Sequence, residues 1–219
     1  LYNADLDEDG AVGWLAGFAY QIPEIALKTS ITYRSEIDHK ASAREYGQSN
    51  VLAFVGSSPV YDVATDANIT TPQSVNLDFQ TGIMANTVAF ANVRWVNWKD
   101  FSLDLKQFGT VADTLGALGQ TPDNPNGFDI VGYTDDQWSA NVGVGRKLND
   151  QWAGNVSVGW DSGAGNPVST LGPTEGYWNL GLGAQFSPTP QTFIAGGVKY
   201  FWLGDAKAQS AAQFDTANY

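Results

Sequence analysis

From Gln137 to Ser162 the chain alternates twice about a short turn. In the first run Trp138, Ala140, Val142 and Val144 share one parity, and Ser139, Asn141, Gly143 and Gly145 the other. In the second, Trp152, Val156, Val158 and Trp160 stand against Ala153, Asn155, Ser157 and Asp161. Period-two alternation sends successive side chains to opposite faces of a strand, so the stretch predicts a hairpin turning at Asn149 to Gln151. One face is apolar and bracketed by Trp; the other is small and polar. A soluble sandwich also alternates, but it gains nothing from Trp at both ends of its strands. A strand that crosses a bilayer does, because indole rings settle at headgroup level.

The pattern recurs along the chain. Val12, Trp14, Ala16, Phe18 and Tyr20 mark a first strand after an acidic, loop-like Leu1 to Gly10. Ile25, Leu27, Thr29, Ile31, Tyr33 and Ile37 mark a second, whose other face carries Lys28, Arg34, Glu36 and Asp38. The periodicity then lapses into a long loop from about Tyr46 to Thr71. Val75 to Ile83 predicts a third strand, Met84 to Thr87 a tight turn, and Val88 to Leu105 a fourth strand with a bulge or bend near Val96 to Trp98. A second long loop covers Gly109 to Thr134, and the opening hairpin supplies strands five and six. A third loop runs from about Ser162 to Gly176, before strands seven (Trp178 to Phe186) and eight (Ile194 to Trp202), with the tail from Gly204 read as loop. Connections therefore alternate short and long. In an up-and-down meander this puts every tight turn at one rim and every long loop at the other.

The fold class expected is all-β, a transmembrane antiparallel up-and-down β-barrel with about eight strands present and the whole chain, 1–219, forming a single barrel domain. The alternative is a soluble sandwich or lipocalin-like barrel, which would bury its bulky apolar residues inside. Trp14, Tyr33, Trp138, Trp152, Trp160, Trp178, Tyr200 and Trp202 are the predicted membrane-interface aromatics. With 23 acidic and 11 basic residues the formal charge is -12, which argues against nucleic acid as a partner. The absence of cysteine excludes disulfides, thiolate nucleophiles and Cys-based zinc sites. No stretch is apolar for long enough to make a transmembrane helix, a limit that does not apply to strands.

Several segments also resemble a known family. GWLAGFAYQ and LKTSITYRSEIDHKASA (Gly13 to Ala43), TPQSVNLDFQTGI (Thr71 to Ile83), VRWVNWKDF (Val93 to Phe101) and LNDQWAGNVSVGWDSG (Leu148 to Gly163) are similar to the C-terminal part of the FadL/TodX outer-membrane transporters of long-chain fatty acids and aromatic hydrocarbons. Tyr33-Arg34-Ser35 and Trp95 to Phe101 carry the likeness most specifically. The resemblance implies a fourteen-stranded barrel with an N-terminal hatch and a lateral opening in its wall. It further implies passive passage of hydrophobic compounds and a place in the outer membrane of a Gram-negative bacterium. On that expectation the chain is an internal fragment lacking the hatch, the early strands and the final strand. It is no enzyme, it is monomeric, and its partners are outer-membrane lipids, lipopolysaccharide and a hydrophobic small molecule. The runner-up is a small structural or adhesion barrel whose loops are the working surface.

Candidate chemistry is sparse. Lys28, Arg34, Arg94 and Lys199 fall on the polar parity, where each could meet a substrate carboxylate or pair with Glu36, Asp38 and Asp78 to satisfy a polar interior. Val51, Leu52, Phe54 and Val55, and the stretch Val111 to Leu118, are apolar inside predicted loops; they either line an access groove for a greasy ligand or pack the loops themselves. Asp5, Asp7 and Asp9 have the spacing of the first half of an EF-hand loop, but position twelve is Ala16 and a strand follows. They are a candidate calcium site, Ca2+ being the one cofactor considered, or simply an acidic loop. Arg146 and Lys147 flank a short turn and read as interfacial anchors. Asp38 and His39 are adjacent on a strand and so face opposite ways, which leaves no catalytic pair.

Overall fold

The computed structural model describes residues 1–121, 124–168, 174–208 and 217–218. In chain order the strands are β1 (Tyr2–Leu6), β2 (Leu15–Ile22), β3 (Leu27–Arg34), β4 (Ile37–Gln48), β5 (Val60–Thr71), β6 (Ser74–Met84), β7 (Thr87–Val96), β8 (Ser102–Leu103), β9 (Val131–Gly132), β10 (Gln137–Lys147), β11 (Trp152–Asp161), β12 (Tyr177–Thr189), β13 (Thr192–Leu203), β14 (Lys207–Ala208) and β15 (Ala217–Asn218). The single α-helix among the described residues, α1, spans Lys106–Ala117.

Eight strands form one antiparallel wall in the order β13-β12-β11-β10-β7-β6-β3-β2. The eight expected membrane strands are therefore present, joined by short turns at one rim and long excursions at the other. Among the described residues the wall does not close on itself, since β2 and β13 each pair along one side only. Register shows that the alternation is coherent from strand to strand. Phe18 faces Ile31, Ile31 faces Leu77, Leu77 faces Val93 and Val93 faces Ala140. Ala140 then faces Trp160, Trp160 faces Trp178 and Trp178 faces Trp202. A one-residue slip anywhere would turn a whole strand inside out.

That apolar face is bare. Phe18, Val142, Leu182, Val198 and Trp202 are each more than half exposed, and a continuous apolar sheet of this extent is not presented to water by soluble proteins. Trp95 and Trp138, and Trp160 and Trp178, sit with ring centroids 6.4 Å apart near the long-loop rim. Trp152 and Phe186 meet at 4.8 Å near the other. Trp152 and Trp160 are eight residues apart on β11, about 27 Å along the strand. With strand tilt this matches the apolar band of a membrane barrel.

Above the wall the chain is more ordered than its pattern predicts. The segment read as a loop from Tyr46 to Thr71 is the far end of β4, a 3-10 turn at Asn50–Val55, and β5, paired residue for residue from Ile37↔Thr71 to Gln48↔Val60. This ribbon continues the β3–β6 hairpin beyond the membrane. Leu1 to Gly10, also read as loop, contributes β1 to the free edge of β4. The fourth strand ends at Val96 instead of Leu105, because Asn97 donates its backbone N–H to Gln73 and its side-chain amide to Asp136, turning the chain into the 3-10 segment Trp98–Asp100. The predicted loop from Gly109 contains most of α1.

The ribbon and helix share a small core of Ala43, Ala67 and Leu105, with Tyr2, Ala4, Ile69, Phe108 and Ile130 around it. Alanines on the ribbon let the helix approach closely. At the junction Glu45 is fully buried. Its carboxylate accepts hydrogen bonds from the Gln107 N–H at 2.9 and 3.1 Å and from the Phe108 N–H at 3.1 Å. Tyr2 Oη and Thr65 Oγ1 donate to it at 3.0 and 2.9 Å. Leu105, at the N-cap, supplies no side-chain acceptor. Glu45 therefore does for α1 what an N-cap residue does, from a strand some sixty residues earlier, and places its charge at the positive end of the helix dipole. Burial, and then the bond to Glu45, pushes the Tyr2 phenol well above its ordinary range, so it remains a donor.

Two outcomes are expected. Glu45→Ala removes the acceptor for two helix N–H groups and two side-chain donors, a local cost of about 2–4 kcal/mol. Hydrogen exchange at Gln107 to Thr114 should accelerate by roughly thirtyfold or more while the wall amides keep their protection; unchanged helix exchange would refute the capping role. The chain has no native cysteine, so single cysteines report cleanly. In the assembled protein, Asn155→Cys should react with a membrane-impermeant thiol reagent, and Val156→Cys and Val158→Cys should resist it. Equal labelling of all three would refute the lipid-facing assignment.

Candidate functional site

The polar face of the wall is the surface on which the sequence-predicted cations gather. Lys28 lies opposite Gln80 and Arg34 opposite Ser74, while Arg94 lies opposite Asn76 and Lys199 opposite Gly181. All four share the face that carries Ser30, Asn92, Ser139, Asn155 and Ser157, the face turned away from the Trp-bracketed surface. In a curved wall this is the lumen side.

Hydrogen bonding on this face shows what the cations do. Asp78 accepts from Asn92 Nδ2 at 2.6 Å and from Ser30 Oγ at 3.3 Å, while Arg94 Nη1 donates to Asn76 Oδ1 at 3.1 Å. Asp38, up on the ribbon, accepts from Thr70 Oγ1 at 2.7 Å. The salt bridges among the described residues are His39–Asp9, Arg44–Asp62 and Lys147–Asp150. None of them uses Lys28, Arg34, Arg94 or Lys199. The pairing of these four with Glu36, Asp38 and Asp78 is thus not what the structure displays, because neutral donors already occupy Asp78.

Two of the clefts on the lumen face flank Phe90. One, of about 640 Å³, is lined by Ala19, Gln21, Lys28, Gln80, Phe90 and Asn92 among others. A second, of about 760 Å³, lies on the far side of Phe90 against Val88, Lys147, Ala153, Asn155 and Gln185. Phe90 stands between them. Its ring approaches Gly143 of the adjacent strand so closely that a Cβ there would collide with Phe90 Cζ, which requires glycine at 143. Phe90 was legible in VAFANVRWV as an aromatic on the wrong parity, sharing a side with Asn92 and Arg94 while Val93 and Trp95 point to lipid.

At the outer mouth a smaller cavity of about 200 Å³ is bounded by Trp98, Tyr133, Gln137, Asp161, Glu175 and Tyr177. Trp98 packs on Tyr133 and Phe101 at centroid distances of 4.9 and 5.5 Å and donates its indole N–H to Gln137 Oε1 at 2.8 Å. Gln137 passes that fixation on by donating to Asp161 at 2.9 and 3.1 Å. Burial raises the Glu175 carboxyl above its ordinary range; a bond from the Gly165 N–H opposes this, and Asp135 and Asp161 add to it.

The remaining predicted residues lie elsewhere. Val51, Leu52, Phe54 and Val55 belong to the 3-10 turn at the tip of the β4–β5 ribbon. Leu52 is 1% exposed, Phe54 and Val55 face outward, and none of them lines a lumen cleft. The structure does not bring this group together with the four cations. Asp9 accepts from the Lys40 N–H and faces His39, and no three carboxylate or imidazole groups are gathered for a metal ion among the described residues. Arg146 shares the outward parity with Val142 and Val144 beside the turn, and Lys147 pairs with Asp150. Trp14 packs against Tyr33 at a centroid distance of 4.9 Å, and Tyr200 meets Trp202 edge to face at 4.8 Å, both on the outer surface.

The same architecture is found in solved outer-membrane channels. A homologue of FadL from Pseudomonas aeruginosa aligns with a TM-score of 0.60 at 16% identity, covering 92% of this chain and 46% of its own. The CymD monoaromatic hydrocarbon channel aligns at 0.51 with 13% identity, covering 88% of this chain and 47% of its own. The TodX deltaS2S3 mutant, described as a monoaromatic hydrocarbon channel, aligns at 0.51 with 13% identity, covering 95% and 50%. The chain thus spans about half the length of these structures. No curated protein matches the sequence. The family model described as outer membrane protein transport protein (OMPP1/FadL/TodX) matches residues 2–218. With its eight-stranded wall, tryptophan belt and polar inner face, the chain belongs to this family of outer-membrane proteins.

Proposed function

We propose that this chain forms part of the wall of a passive outer-membrane channel for hydrophobic compounds, and that the compounds are long-chain carboxylic acids. The observation that carries the substrate class is the set of lumen-face cations, Lys28, Arg34, Arg94 and Lys199, without a salt-bridge partner among the described residues. A hydrocarbon has no use for them. An amphipathic acid does, because an ammonium or guanidinium forms charge-assisted hydrogen bonds to its headgroup. Two of the similar structures are described as monoaromatic hydrocarbon channels and the third as a FadL homologue, which supports a hydrophobic cargo in general. The aromatic belt at the long-loop rim would then rest among outer-leaflet lipid and lipopolysaccharide headgroups.

Uptake by cells expressing the full-length parent protein tests this reading. Labelled oleate should enter several-fold faster than in cells carrying an empty vector, and unlabelled palmitate should compete. Toluene in excess should compete weakly. Entry of toluene alone would overturn the carboxylic-acid assignment; entry of neither would favour a structural or adhesive barrel.

A further inference from the structure

Residues 162–168, which leave the outer end of β11, are tied to three neighbouring connections at the long-loop rim. The Ala164 carbonyl accepts from the Thr134 and Asp135 N–H groups at 3.1 and 3.0 Å, just ahead of β10. The Val168 N–H donates to the Lys207 carbonyl at 2.7 Å, and the Lys207 N–H donates to Asn166 Oδ1 at 3.0 Å, at β14. The third tie is a single side chain. Gly165 donates its N–H to Glu175 Oε1 at 2.9 Å, at the start of β12.

Glu175 is packed into this stretch, and its surroundings suit a neutral acid better than an anion. Gly163 and Gly165 lie in the left-handed region at φ 72° and 104°. A Cβ at Gly163 would sit 2.6 Å from Glu175 Cδ, and one at Gly165 2.7 Å from Asp135 Oδ2. The two glycines thus let two carboxyl groups close on one turn. Asp161, Tyr133 and Tyr177 share the mouth cavity with Glu175, and no Lys, Arg or His lines it among the described residues. Asp161 is already bonded by Gln137 and the Gly163 N–H. Glu175 Oε2 is buried without a hydrogen-bond partner among the described residues. Ionisation would therefore place charge on an oxygen with no donor, between carboxylates of like sign. The neutral acid avoids that penalty and still accepts from Gly165. The upward displacement of this carboxyl, caused first by burial, agrees with the geometry.

We propose that Glu175 and residues 162–168 form a proton-controlled clasp on the outer mouth. While Glu175 is neutral the clasp is engaged. Gly165 is held, the glycine turn packs on the side chain, and Ala164 stays in place for Thr134 and Asp135, so the β9–β10 and β11–β12 connections are held as one. When the carboxyl loses its proton, its unserved oxygen is driven toward water and away from Asp135 and Asp161, and the stretch loosens from β12. A carboxyl that holds its proton more tightly in the folded protein contributes stability at low pH, and that contribution is lost as pH rises through its displaced value. Gly163, Ala164, Gly165 and Val168 line the mouth cavity, so that side of the mouth loosens with them. The clasp is independent of what the channel carries.

Amide hydrogen exchange in the purified full-length parent protein, held in detergent micelles, tests the clasp once rates are corrected for the intrinsic effect of pH. From about pH 4 to about pH 8, protection of Thr134, Asp135 and Gly165 should fall by about tenfold or more. Wall amides such as Val156 and Leu180 should keep theirs. Glu175→Gln should hold high protection throughout and abolish the fall. Asp135→Asn should move the transition to lower pH, because one like charge is gone. Heat-modifiable migration on gels verifies that each variant is folded. A flat wild-type profile overturns the clasp, and so does a fall in folded Glu175→Gln equal to that of the wild type. If Glu175→Gln does not fold, Asp135→Asn decides, and an unmoved transition there overturns the clasp.

Discussion

Hydrocarbon offers a peptide group no hydrogen-bond partner, and the whole wall follows from that constraint. Each strand must pair along its full membrane length, so all eight strands between Leu15 and Leu203 are paired in register, with irregularities only beside two short turns, at Gly82–Met84 and Phe186–Thr189. Once the backbone is satisfied within the sheet, side chains sort by parity alone. Leu, Val and Phe go to lipid with Trp at the rims, and Ser, Asn, Gly and the occasional cation go to the lumen. The polar parity is thus free to vary.

Outside the membrane the constraint changes, and so does the construction. Water can satisfy exposed backbone, so the outer structure is held by its own contacts. The apolar core there is small, three buried residues with a few partly buried neighbours. Glu45 supplies what that core cannot. A buried carboxylate is costly unless its oxygens are saturated, and here two side-chain and two backbone donors saturate them. The helix, the first strand and the ribbon converge on that one group.

This difference explains how much was legible from the residues. The eight membrane strands can be read because lipid enforces a strict two-residue period on one face. The ribbon cannot, because its buried positions are Ala41, Ala43, Glu45, Tyr61 and Ala67, mostly small or polar residues that blur the alternation. The helix hides for a related reason. Gly109, Gly116 and two threonines lower its propensity, and its cap comes from a distant strand instead of a neighbouring Ser or Asp. On the lumen face Lys28, Arg34, Arg94 and Lys199 are placed by parity alone, whereas the freedom of Lys28 and Arg94 from Asp78 goes with Ser30 and Asn92 holding that carboxylate. That competition has no signature in the sequence.

Charge is also sorted by region in a way the net figure of -12 conceals. The lumen face of the wall carries Lys28, Arg34, Arg94, Lys147 and Lys199 against Asp78 and Asp161, whereas the outer structure holds most of the acidic residues, among them Asp5, Asp9, Asp62, Asp104, Asp113, Asp129 and Glu175. At physiological salt the field of an exposed charge fades within about 8 Å, so an anion outside the protein meets the acidic surface before it can sense the lumen cations. Electrostatic steering from solution would act against an acid. On the carboxylic-acid reading proposed above, an amphipathic acid would be brought to such a mouth by its alkyl chain, gaining about 0.8 kcal/mol per buried methylene. Only after the chain had entered would the headgroup come within reach of the lysines and arginines below. Apolar capture above and charge recognition beneath would then be successive steps, ordered by the distribution of charge between outer structure and lumen.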